Sequence, residues 1–203
     1  MPNIFGYFDN KKKERIKANL GNVSSNDELF NRLTTLQNEV GVSFDTKVTA
    51  ITSIASDELS AHFAKAYADA YVRNGCSVLI VDANMYNPCL NLALGLANVP
   101  SGEVKQIVDK IAVASFDKEN YPSEVYKTGV IQNLVKENLD KFDHILLLVP
   151  AMKKHQEVSL LADILGSILL LVEKNKTRKG DIYSALVYCA ENKLPAAKTV
   201  VLK

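Results

Sequence analysis

From residue 48 onward, short runs rich in Val, Ile and Leu alternate with stretches of helical spacing. The candidate strands are residues 48–53, 77–81, 111–115, 145–149, 168–172 and 199–202. Runs such as SVLIV and ILLLV are apolar on both faces, which is typical of strands buried on both sides of a parallel sheet. Strands that alternate with helices predict one doubly wound, mostly parallel α/β sheet with helices on both faces.

Helices are expected between these strands, at residues 60–74, 91–94, 102–110, 123–142, 157–165 and 179–192. A further amphipathic helix is predicted at residues 27–40, before the first strand. It carries Leu29, Phe30, Leu33, Leu36 and Val40 at helical spacing. Such an apolar stripe must dock, either on its own domain or on a partner.

The length of 203 residues favours a single domain. Residues 1–25 combine the apolar start NIFGYF with the basic run KKKERIK. We expect a flexible or partner- or membrane-contacting segment there, and the α/β domain at residues 26–203.

The charge, the cysteines and the apolar runs exclude several classes of function. A net charge of +1 gives no global case for binding nucleic acid. The apolar runs are too short to span a bilayer and no signal peptide is evident, so a cytoplasmic protein is expected, with recruitment to the inner face of the membrane left open. The three cysteines and three histidines lack metal-ligand spacing, so no metal site is expected.

Ligands of such sheets bind at the carboxyl ends of the strands. The turn after the first strand is therefore a candidate binding site. A loop that holds phosphates needs glycines, a lysine and a Ser or Thr hydroxyl for Mg²⁺. The sequence here is SIASDELSAHF, in which Asp57 and Glu58 would repel a polyphosphate. Tight nucleotide binding of the usual kind is therefore not expected. Ser60 and His62 share no orienting acid, so nucleophilic catalysis is not expected either.

Four segments, in the same order along the chain, resemble parts of the cytoplasmic tyrosine-kinase domain of bacterial capsule and exopolysaccharide systems. This family is a branch of the P-loop ATPases that is related to the division-site and chromosome-partitioning ATPases. ELFNRLTTLQ from Glu28 and KVTAITS from Lys47 match the helix and strand before that family's phosphate loop. LIVDANMYNP from Leu79 is similar to its second acidic motif, and LLLVPA from Leu146 aligns with its third.

The resemblance also implies where the family's chemistry would lie in this sequence. The phosphate-binding lysine aligns with Ser60, the Mg²⁺-binding hydroxyl with Ala61 and the Walker B aspartate with Leu148, whereas Asp82 retains its acidic side chain. The implied vestigial nucleotide site consists of Ser53, Ser56, Asp57, Glu58, Ser60, Asp82 and Asn84. Neither a catalytic residue nor a cofactor is assigned. Asp82 is alternatively a structural cap for the following turn.

The resemblance implies a catalytically inactive relative that serves as a regulatory or scaffolding binding module in capsule or exopolysaccharide biosynthesis. Its partner would be the cytoplasmic tail of a membrane polysaccharide co-polymerase or a related active kinase, and an oligomer is left open. The family's subunit-contact helix aligns with an interaction helix that contains Glu28, Phe30, Arg32 and Leu33.

Two alternatives stay open. One is an ATPase or kinase with a non-standard nucleotide site, in which ATP and Mg²⁺ would bind with Asp82 as base and Lys153, Lys154 or Lys174 as the phosphate lysine. The other is a non-catalytic partner of a division-site or partitioning ATPase.

Overall fold

The computed structural model describes residues 46–96 and 99–202, and these form a seven-stranded sheet. The strands are β1 Val48–Ser53, β2 Val78–Asp82, β3 Lys105–Val108, β4 Ile111–Ser115, β5 His144–Leu148, β6 Ser167–Glu173 and β7 Ala197–Leu202. Their order across the sheet is β3-β4-β2-β5-β1-β6-β7, and every neighbouring pair is parallel except β3 and β4. The predicted doubly wound, mostly parallel α/β fold is confirmed.

Helices cover both faces of this sheet. They are α1 Asp57–Arg73, α2 Leu90–Leu94, α3 Pro122–Lys127, α4 Val130–Asn138 and α5 Lys179–Glu191, with a 3₁₀ helix at Glu157–Leu161. One core cluster contains Tyr67 of α1 and Leu90 of α2, and the other contains Tyr126 of α3 and Cys189 of α5. The two layers of helices therefore pack on opposite faces.

The central strands are buried because their side chains enter both core clusters. Every residue of β1 is buried, with Ala50 in one cluster and Ile51 in the other. Strand β5 repeats this arrangement with Leu147 and Leu148. This two-sided burial explains the continuous apolar runs of the sequence.

The prediction of a helix at residues 102–110 is wrong, because this segment contains β3. Strand β3 turns through Lys110, whose φ is 63°, and pairs antiparallel with β4. The strand lies at the edge of the sheet and is largely exposed, so it lacks the apolar run that revealed the others.

The predicted helix at residues 123–142 is two helices, because Gly129 adopts a φ of 77° between α3 and α4. The helix predicted at 157–165 is the shorter 3₁₀ helix. The predicted helix at residues 27–40, with its interaction residues, and the segment 1–25 lie outside the described residues, so they and the domain boundary stay predictions. Within the described part of the chain, no helix is long and apolar enough to span a membrane.

Candidate functional site at the carboxyl edge of the sheet

The connection between β1 and α1 is only three residues long, from Ile54 to Ser56. The Ser53 hydroxyl closes it: its Oγ accepts a hydrogen bond from the Ser56 amide and donates one to the Ser56 carbonyl, both at 2.8 Å. Helix α1 then begins at Asp57. The segment from Ser56 to Ala61, which aligns with the phosphate loop of the kinase family, is thus helical from its second residue onward.

Asp57 and Glu58 form the acidic first turn of α1, where the helix dipole favours negative charge. The Oδ1 atom of Asp57 accepts a hydrogen bond from the Ala151 amide at 3.0 Å. This contact ties the start of α1 to the segment that follows β5. Glu58 instead is exposed at the surface.

Asp82 ends β2 and is 1% exposed. Its Oδ2 accepts hydrogen bonds from the amides of Cys89 and Leu90, both at 2.8 Å, and its Oδ1 accepts one from Asn84 at 3.1 Å. The carboxylate therefore caps the start of α2. Burial raises the pKa of Asp82 to about 6, the three amides oppose this shift and the charge of Asp57 adds to it.

Four of the residues predicted for the vestigial nucleotide site line one small cavity: Asp57, Ser60, Asp82 and Asn84. Leu148 also lines this cavity, and its strand β5 lies between β1 and β2. The cavity volume is about 10 Å³, which is the space that a single water molecule requires. The Oγ atom of Ser60 is buried there and has no hydrogen-bond partner among the described residues.

Ser53 and Ser56 line a second and larger pocket, which the sequence did not reveal. This pocket has a volume of about 260 Å³ and lies at the carboxyl ends of β1 and β6. We call it the basic pocket; it is lined by Ser53, Ile54, Ala55, Ser56, Leu59, Lys153, Leu171, Glu173, Lys176, Thr177, Arg178 and Asp181. The run KNKTRKGD after the sixth strand was its only signal in the sequence.

The floor of the basic pocket is apolar and its rim is charged. Ile54 and Leu171 are buried at 3% and 1% exposure. On the rim, Lys153 pairs with Asp181 at 3.0 Å and Lys176 pairs with Glu173 at 2.9 Å. The two acidic side chains of the rim are thus each neutralised by a lysine.

The described residues contain no group of three or more His, Cys, Asp or Glu side chains that could hold a metal ion. The Asp57 and Asp82 carboxylates alone face the small cavity from α1 and β2. These two carboxylates already accept hydrogen bonds from four backbone amides.

Solved structures of bacterial tyrosine-kinase domains are similar to the described fold. The chimerical protein CapA2B2 matches with a TM-score of 0.76 at 18% identity, over 92% of this chain and 88% of that one. The kinase domain of the Escherichia coli tyrosine kinase ETK matches with a TM-score of 0.75 at 14% identity, over 86% of this chain and 73% of that one. The chain has the fold of these kinase domains.

A ParA family ATPase from Chlorobium tepidum is also similar, with a TM-score of 0.66 at 13% identity over 76% of this chain and 73% of that one. These structural neighbours belong to the branch that the sequence resemblance predicted. No family model matches the sequence, and no curated protein is significantly similar to it. The likeness is therefore one of fold.

Proposed function

We propose that the chain is a catalytically inactive relative of the bacterial tyrosine-kinase domains, and that it acts as a regulatory or scaffolding binding module in capsule or exopolysaccharide biosynthesis. One observation carries the proposal: α1 begins at Asp57, after a connection of only three residues from β1, and leaves a cavity of about 10 Å³ below its first turn. A phosphate group needs several times the space of the single water that fits there.

The residues around this cavity do not fit a Mg²⁺–polyphosphate group. A phosphate loop presents consecutive backbone amides around the anion, and a lysine and a hydroxyl complete the site. Here the Ser60 and Ala61 positions are helical and buried, and Leu148 supplies no oxygen ligand. The Asp57 carboxylate adds a negative charge where the anion would lie.

Asp82 is also poorly placed to act as a catalytic base. Both of its oxygens accept backbone hydrogen bonds, and the side chain is 1% exposed. A general base needs hydrogen-bond contact with the proton that it removes. These contacts support a capping role for Asp82 and weigh against the enzymatic alternative.

The enzymatic alternative keeps one observation in its favour, which is the basic pocket next to the β1–α1 turn. Lys153, one of the lysines proposed for a non-standard site, lines this pocket but is paired with Asp181. A nucleotide that bound there would lie outside the small cavity.

Calorimetric titration with ATP and ADP, with and without Mg²⁺, separates these functions. We expect no binding heat up to millimolar nucleotide, while an active bacterial tyrosine-kinase domain measured in parallel should bind. A dissociation constant tighter than roughly 10 μM, or about 7 kcal/mol, would refute the proposal and favour the enzyme.

The proposed partner is the cytoplasmic tail of a membrane polysaccharide co-polymerase or a related active kinase, met at the inner face of the membrane. We expect the immobilised chain to retain one of the two in a pull-down with purified components. Retention of a partitioning-type ATPase instead would favour the remaining alternative. If the chain retains neither tail nor kinase, the proposed role in capsule or exopolysaccharide biosynthesis is wrong.

A further inference from the structure

The basic pocket shares no lining residue with the small cavity at Asp57 and Asp82. It is about 260 Å³ in volume, whereas the small cavity holds about one water molecule. Ser53 and Ser56 of the predicted nucleotide site line the basic pocket, so the pocket adjoins that site, but the small cavity does not account for its volume. A binding module without a nucleotide could use this space for another ligand.

Cationic side chains are concentrated around this pocket. The segment from Glu173 to Asp181 and the pair Lys153 and Lys154 together hold six cationic and two acidic residues, whereas the whole chain has a net charge of +1. Both acidic residues are paired with lysines. Within the described residues, the Arg178 side chain forms no ion pair, so its charge is available to a ligand.

The shape of the pocket adds a second requirement. Its floor, formed by Ile54, Leu59 and Leu171, would bury an apolar side chain favourably. Lys154, Lys174 and Lys179 lie near this rim in sequence, are exposed and do not line the pocket. A ligand that meets both the floor and these cations must extend beyond the pocket, as a peptide does.

We propose that the basic pocket docks an acidic peptide segment of a partner protein. An apolar side chain of the peptide enters the pocket, and flanking carboxylates contact Arg178, Lys176 and the neighbouring lysines. Charge complementarity selects this occupant over a neutral or a basic peptide. The inference rests on the proposed binding-module function and deepens it by naming the surface and the chemistry of the partner.

The direct test is fluorescence anisotropy with the labelled peptide Glu-Asp-Glu-Leu-Glu-Asp-Glu. We expect saturable binding that weakens as salt rises above about 0.15 M, because exposed charges are screened. Replacing the central Leu of the peptide with Ser should weaken binding several-fold, since the apolar floor is then unused. Equal binding of the two peptides would overturn the pocket-entry step.

Arg178→Glu is the decisive variant. Arg178 is exposed and precedes α5, where an acidic residue suits the helix dipole, so the fold should be retained. We expect peptide binding to weaken about tenfold or more, because a charged contact is replaced by repulsion. Lys105→Glu is the matched control: it makes the same charge change on β3, at the far edge of the sheet, and should bind like the wild type.

Ala55→Phe tests the pocket without changing charge. Ala55 lines the pocket and is exposed, so a phenyl ring there should fill the space and weaken binding about tenfold. Wild-type affinity in both Arg178→Glu and Ala55→Phe would refute the proposal. Equal weakening by Lys105→Glu would reduce the binding to unspecific charge attraction and refute it as well.

Further outcomes identify a different occupant. Self-association of the wild type that Arg178→Glu abolishes would make a second copy of this chain the occupant, against the proposal. Displacement of the peptide by micromolar ATP would make the pocket a nucleotide site and contradict both proposals.

The proposed function and this inference can fail separately. If the co-polymerase tail or the kinase is retained equally by the wild type and by Arg178→Glu, the docking surface is wrong and the function stands. If the peptide binds as expected but neither protein is retained, the pathway assignment is wrong and the basic pocket stands.

Discussion

Asp82 should make the stability of the protein depend on pH in an unusual direction. Burial raises its pKa from 3.8 to about 6 in the folded protein, so the folded state holds the proton more tightly than the unfolded state. The stabilisation from this proton is complete below pH 3.8 and is lost as the pH rises through about 6. Ionisation of Asp82 therefore lowers the free energy of unfolding.

The size of the effect follows from the difference between the two pKa values. At about 1.4 kcal/mol per pKa unit, a shift from 3.8 to about 6 corresponds to about 3 kcal/mol. Most of this, about 2 kcal/mol, should be lost between about pH 4 and pH 7.5. The three backbone amides that bond Asp82 favour its ionised form and lower its pKa. The pKa of about 6 already includes this opposing effect.

Asp82→Asn isolates this contribution from the other titrating groups. The amide does not ionise, but its Nδ2 cannot accept a hydrogen bond, so Asp82→Asn loses at least one of the three backbone contacts at a cost that does not change with pH. Between about pH 4 and pH 7.5 the stability of the variant should rise by about 2 kcal/mol relative to the wild type. Urea unfolding followed by circular dichroism at several pH values measures the difference.

Asp140→Asn, which changes an exposed carboxylate, is the matched control and should show no such growing difference. A difference between Asp82→Asn and the wild type that stays constant from pH 4 to pH 7.5 would refute the reasoning. A variant that becomes less stable than the wild type with rising pH would mean that the three amides outweigh the burial of the charge.

Three further changes test individual contacts. Tyr126→Phe should destabilise the protein by about 1–2 kcal/mol, because the buried Tyr126 hydroxyl donates to the Ala83 carbonyl, whereas Tyr121→Phe, at 76% exposure, should be neutral in the same urea titration. Asp57→Ala should cost about 1 kcal/mol of unfolding free energy by removing the acceptor of the Ala151 amide, and an unchanged value would show that the contact contributes nothing. Leu148→Asp should cost several kcal/mol by burying an unpaired charge, without producing ATP binding in calorimetry; recovered binding would contradict the proposed loss of the site.

Sequence alone predicts the central part of the sheet well, because burial on both faces leaves an unmistakable apolar run. The edge strand β3 was missed for the opposite reason: its four residues, KQIV, are mostly exposed and carry no such pattern. The break between α3 and α4 depends on one left-handed glycine, Gly129, inside an otherwise continuous helical pattern. Edges and breaks are set by local backbone geometry, which periodicity does not report.

The candidate site was likewise predicted only in part. The resemblance placed Ser60, Asp82 and Asn84 together, and the structure brings them to one cavity. It did not reveal the hydrogen bond from Ala151 to Asp57, since these residues are 94 positions apart. The basic pocket was hidden for a related reason, because its two rim loops are distant in sequence and meet only through the pairing of β1 with β6.

Single substitutions cannot rebuild a phosphate loop between β1 and α1. A lysine at position 60 would enter the buried start of a formed helix, beside a cavity of about 10 Å³ and with no anion to neutralise it. The first turn of α1 would have to unwind, glycines would have to replace Asp57 and Leu59, and the contact to Ala151 would be lost before any nucleotide could bind. If the proposed function holds, each single change toward a phosphate loop should destabilise α1 before any nucleotide could bind, so the helix itself opposes the gain of nucleotide binding.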